Sequence, residues 1–188
     1  MNGSVVVINR KRIFCVAFLF LAVFSSGCDV VYRFLQKEGA QERDLLGEVV
    51  PFERNDKVAE VQKLLKLYGY KIGKVDGILG ANTRNAIAVF QENTGIKVSR
   101  FVDYETWETL NLFVDYGLVV DGEINFFVVQ QALTNAGFDP GPVDGKPGRK
   151  TQKAIKDFQR DAGLKADGKV GFRTLSELAT YLSLYEKE

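Results

Sequence analysis

Gly73-Lys74-Val75-Asp76-Gly77, then Gly80 and Thr83, then Ala86-Ile87 and Phe90-Gln91, form a pattern that occurs twice in the chain. Sixty-eight positions later the chain reads Gly141-Pro142-Val143-Asp144-Gly145, Gly148, Thr151, Ala154-Ile155 and Phe158-Gln159. Residues 61–110 align without a gap to 129–178, with 19 of 50 positions identical. Matching glycines at this density mean two copies of one fold. The copies are expected at 57–113 and 123–184.

Working outward, each copy reads as three helices joined by glycine-rich turns. Val58, Val61, Leu64, Leu65 and Tyr68 recur at helical spacing. Asn55 or Asp56 is suited to start that helix and Gly69 to stop it. Tyr70 to Leu79 contains Asp-Gly, a tight-turn signal. A second helix starts after Gly80 and presents Thr83, Ile87 and Phe90. A third starts at Asp103 and presents Tyr104, Trp107 and Leu110. Copy two repeats the plan, ending on Phe172, Leu175, Leu178 and Leu182. The fold class is therefore all-α, two tandem three-helix bundles. Bundles of about 60 residues are marginal alone. The connection from Asn111 to Gly122 is too apolar for a flexible linker. Both facts predict that the bundles pack together.

These motifs, Gln-x-x-Leu, Gly-Tyr, Gly-x-x-Asp-Gly, Gly-x-x-Thr, Ala-Ile-x-x-Phe-Gln and Gly-Leu, resemble the peptidoglycan-binding module of bacterial cell-wall enzymes. The resemblance covers about 58–112 and 126–182. It implies a three-helix fold that targets a catalytic domain to the wall. Copy two also has Asp167-Gly168-x-Val170-Gly171, where copy one has Ser99-Arg100 and Asp103. The difference bears on copy one's competence to hold a ligand more than on its fold.

The N-terminus reads as an export signal: Arg10-Lys11-Arg12, an apolar run from Ile13 to Phe24, small residues, then Cys28. The apolar run is shorter than the roughly 20 residues a membrane-spanning helix needs. Gly27-Cys28 resembles the lipobox of bacterial lipoproteins, although Ser25 stands where that pattern prefers leucine. The resemblance implies cleavage after residue 27 and lipid attachment at Cys28. The product would face the periplasm from an envelope membrane. An ordinary signal peptide with an incidental cysteine, or an uncleaved anchor, is the blander reading. Residues 28–56 then read as the lipidated cysteine and a tether. Fully extended, the tether would reach roughly 90–100 Å. A short amphipathic helix near 31–45 fits the pattern, weakened by Gly39.

Composition narrows the functions. No histidine is present, which removes the commonest general base and metal ligand. No metal or cofactor is expected. Without the three basic residues of the signal, 22 Lys and Arg face 24 Asp and Glu. That balance argues against a nucleic-acid partner. A glycosidase needs two acids flanking a cleft. Asp76 and Asp144 lie in separate copies and have a simpler role as turn formers. The chain is not expected to be an enzyme.

Candidate ligand contacts are Tyr68, Tyr70 and Phe138, which offer aromatic faces, and Arg84, Arg149 and Arg173, which suit carboxylates of the wall's stem peptides. Asp76, Asp144, Gln91 and Gln159 complete the set. Their simpler reading is structural, with the aspartates forming turns and the glutamines satisfying buried backbone. The expected partners are peptidoglycan, a membrane through the lipid, and a cell-wall hydrolase. The leading reading is a non-catalytic, membrane-anchored wall binder that ties the envelope to the wall. The alternative is an envelope protein–protein interaction or targeting subunit for a hydrolase.

Overall fold

The computed structural model describes residues 37–183. The export signal, Cys28 and the first part of the tether lie outside them. Seven helices and one two-stranded hairpin follow in order: α1 Lys37–Leu46, α2 Asp56–Leu67, α3 Ala81–Thr94, α4 Tyr104–Asp115, β1 Val119–Val120, β2 Glu123–Ile124, α5 Phe126–Asn135, α6 Arg149–Asp161 and α7 Phe172–Ser183. Copy one is α2–α4 and copy two is α5–α7, two three-helix bundles as the duplication predicts.

The helix starts follow from the residues before them. Asn55 caps α2, its side-chain oxygen accepting from Val58 N–H at 3.0 Å. Asp103 caps α4 by accepting from Thr106 N–H at 2.9 Å. Each bond satisfies a backbone donor that the first helical turn leaves without a partner. Val58, Val61, Leu65, Ile87, Phe90 and Leu110 are fully buried in copy one; Val129, Leu133, Ile155, Leu175 and Leu178 are fully buried in copy two.

The connection between copies is ordered. Val119 pairs with Ile124 and Val120 with Glu123 across a two-residue Asp121-Gly122 turn. Both turn residues have positive φ, 54° and 77°, the geometry that matches the twist of a tight hairpin. Asn125 closes its base, its N–H donating to Leu118 O and its side chain to Gly117 O. A boundary at 123 therefore cuts the hairpin in half, and the third helix of copy one runs two residues past 113.

The bundles share one continuous core, as the apolar connection predicts. Phe172, at the start of α7, is its junction. Its ring meets Tyr68, Phe90 and Phe113 edge-on at centroid distances of 5.5, 5.3 and 5.1 Å. Such pairs contribute about 0.5–1.5 kcal/mol each beyond their burial. The backbones also approach closely here. A Cβ at Gly171 would lie 3.3 Å from the Tyr68 carbonyl oxygen.

The expectation of a tether through residue 56 needs correcting for its second half. Helix α1 lies on copy one as part of the folded body. Glu42 is fully buried and Leu46 joins the core. Asn55 Nδ2 donates to Leu46 O at 2.9 Å, joining the end of α1 to the start of α2. Gly39 does cost helix propensity, but tertiary contacts decide whether so short a helix forms. Within the helix Gly39 is itself buried.

Candidate ligand groove between the modules

Each copy is organised by two buried glutamines. Gln62 Oε1 accepts from Asp76 N–H and Gly77 N–H at 3.0 and 2.8 Å. Its Nε2 is shared among Asp76 Oδ1, Ile78 O and Thr83 Oγ1. In copy two, Gln130 makes the same set with Asp144, Gly145, Lys146 and Thr151. One side chain thus satisfies a whole loop whose groups would otherwise be costly to bury. Gln91 and Gln159 do the same for the next loop. Gln91 accepts from Ser99 N–H and Arg100 N–H, and donates to Phe101 O and Thr106 Oγ1. Gln159 accepts from Gly168 N–H, and donates to Lys169 O and Thr174 Oγ1.

These networks give several candidates a structural role. Asp76 and Asp144 form turns, accepting from Ile78 N–H and Lys146 N–H at 2.9 Å. The Gln62 side chain and the Ile78 N–H hold Asp76 below its ordinary carboxylate value. For Asp144 the Lys146 N–H is the larger cause, followed by Gln130. Gln91 is fully buried.

Tyr68 needs correcting in part as a ligand-facing tyrosine: it borders the groove described below, but its ring and hydroxyl are committed to the fold. It is buried, its hydroxyl donates to Leu110 O at 2.6 Å, and its ring packs on Phe113 and Phe172. Burial pushes its pKa well up. Arg84 also needs correcting as a receiver of wall carboxylates. It is buried and already holds one, pairing with both oxygens of Glu42 at 2.6 and 2.9 Å. It donates as well to Arg100 O, and its guanidinium lies 4.9 Å from the centre of the Phe101 ring. The fifth participant is Val102 N–H, which donates to Glu42 Oε1 at 2.8 Å.

Four candidates do meet at one place. Tyr68 and Tyr70 from copy one, and Gln159 and Arg173 from copy two, line a groove of about 850 Å³ at the junction. Tyr70 is half-buried and rests edge-on against Phe90. Burial raises its pKa, opposed by a hydrogen bond with Asn93 and by the nearby Arg173 charge. Lys71, Lys165 and Lys169 add three cations, and Asp167 is the one acid in the lining. That acid is held in its turn by Lys169 N–H at 2.9 Å. Asn93 and the lysines were not anticipated from sequence. The available signal was Lys97 and Lys165, an identical pair at the repeat spacing in an exposed position.

The other two candidates stand apart. Phe138 rests edge-on against Phe158 at 5.6 Å, repeating the Tyr70–Phe90 pair. Arg149 is exposed at the start of α6, beside a separate shallow cleft with Gln152, Lys153 and Lys156.

Comparison with known proteins bears on what such a pair of bundles is. Residues 54–110 and 125–178 match the family model described as "Putative peptidoglycan binding domain". Over 111 residues the chain is 31% identical to N-acetylmuramoyl-L-alanine amidase CwlM of Mycobacterium tuberculosis, a match that takes in 54% of this chain. The match spans 27% of that relative's length. No solved structure matches the chain. With both bundles matched, over more than half of the chain, the protein belongs to the peptidoglycan-binding domain family.

Proposed function

We propose that the protein binds peptidoglycan without cutting it and ties an envelope membrane to the wall through a lipid on Cys28. The observation that carries the binding reading is the cationic groove where the two family modules meet. Stem peptides of the wall carry carboxylates, which four cations around a single acid would attract. The anchor rests on the Gly27-Cys28 sequence and its preceding apolar run. Among the described residues no helix is long and apolar enough to cross a membrane.

A second reading, a targeting subunit for a cell-wall hydrolase, is favoured by the relative being an amidase. The test common to both is co-sedimentation of the full chain, in detergent micelles, with insoluble peptidoglycan. Wall binding predicts that the chain pellets. A chain that stays in the supernatant at low salt contradicts it. Capture of a hydrolase from envelope extracts after the wall has been digested would favour the second reading.

A further inference from the structure

The repeat provides a comparison inside the molecule. In copy one, the face around the start of the third helix is covered by α1. Lys97 is paired with Glu38, Val102 N–H donates to Glu42, and the Tyr104 hydroxyl donates to Asp44 at 3.0 Å. Three carboxylates of one segment thus sit on that face. Adding 68 to these positions gives Lys165, Val170 and Phe172 in copy two. Phe172 is taken up by docking onto copy one. Lys165 lies in the groove, and among the described residues its ion-pair neighbour is Asp167, at 4.0 Å. Among the described residues, Val170 N–H donates to no acceptor, and Arg173 and Lys169 form no ion pair.

We infer that the groove is a composite site, made by both modules together, for a carboxylate-bearing peptide of the wall. Lys165 and Arg173 receive its carboxylates, and Tyr70 forms its aromatic wall. Helix α1 closes the matching face of copy one by placing Glu38, Glu42 and Asp44 where such a peptide would lie. The inference rests on the peptidoglycan reading and adds to it the place, the ligand class and the inequality of the two copies. Charge complementarity favours this occupant. The groove's cations have few protein partners, and the equivalent face has selected acidic residues from the chain itself. The volume suits several residues of a peptide, within the roughly 300–1,000 Å³ of common ligand sites.

The experiment is co-sedimentation of the full chain in detergent micelles with two preparations of insoluble peptidoglycan. One is native, and in the other the free carboxylates are converted to methylamides. The variants are the pair Lys165→Glu with Arg173→Glu, and Lys63→Glu on an exposed site beside the hairpin. Both groove residues are exposed, so unchanged thermal melting checks that the double variant is folded. Losing two solvent-exposed charge pairs predicts about a tenfold weaker affinity for native wall. Methylamidation should weaken the unaltered chain similarly, and Lys63→Glu should leave binding unchanged. Equal binding by the double variant overturns the groove while leaving wall binding intact. Equal binding of the unaltered chain to methylamidated wall overturns the carboxylate assignment. A chain that pellets with neither preparation removes the wall-binding reading itself.

Discussion

Copy one and copy two share a frame and differ in what covers it. Both hold their first loop with one glutamine, Gln62 or Gln130, and their second with another, Gln91 or Gln159. Both set an aromatic edge-on against the core phenylalanine of the second helix. Around the third helix they part. Copy one presents Val102 and Tyr104 to α1, and copy two presents Gly171 and Phe172 to copy one. The same corner is thus a docking corner in both, used first for a helix of ten residues and then for a whole module. The larger partner leaves a groove beside it, whereas the smaller covers the face. Duplication supplied two equal frames, and substitutions at one corner made them unequal.

The largest expected effect breaks that inequality directly. Glu42→Ala leaves Arg84 buried without its carboxylate and Val102 N–H without its acceptor. Removing one partner of a buried ion pair costs about 3–5 kcal/mol. Urea denaturation should show that loss, whereas Gln152→Ala, at the position matching Arg84, should cost far less. Equal costs would mean that α1 does not lock copy one.

A smaller effect tests what the copies share. Gln62→Ala and Gln130→Ala each strip a loop of its buried partner, and each should cost about 2–3 kcal/mol. A large difference between them would show that one frame leans on its neighbour more than the geometry indicates.

The smallest concerns one backbone turn. Arg100 and Gly168 occupy matching positions with φ of 65° and 77°. A left-handed conformation strains any residue with a side chain. Gly168→Ala should therefore cost about 1 kcal/mol, and Arg100→Gly should gain less than about 1 kcal/mol. Thermal melting of the two variants resolves the signs. A stabilising Gly168→Ala would mean that copy two's turn differs from copy one's.

The bundles were legible because periodicity and turn chemistry act locally. Val58 to Leu65 form a helix from their own spacing, and Asp103 caps from its own position. Docking of the copies was legible in the apolar run from Leu112 to Val120. The hairpin was less so: Val-Val-Asp-Gly-Glu-Ile carries the signal, but two-residue strands are too short to show alternation. The fate of α1 was hidden because Glu42 and Arg84 lie 42 positions apart. A buried ion pair leaves no trace in either residue's neighbourhood. Arg84 and Arg173 look alike as isolated arginines, and only the fold places one against a glutamate and the other in a groove. The burial of Tyr68 was hidden for a related reason, since its hydroxyl partner is the Leu110 carbonyl, contributed by another helix.

The central claim is that copy two and its junction carry the ligand while α1 closes copy one. The most direct measurement is amide chemical-shift mapping of the isotopically labelled chain, titrated with a soluble wall fragment bearing its stem peptide. The account predicts perturbations concentrated at Tyr70, Asn93 and residues 165–173, with residues 97–104 unmoved. Perturbations centred on residues 97–104, or equal in both copies, would contradict it.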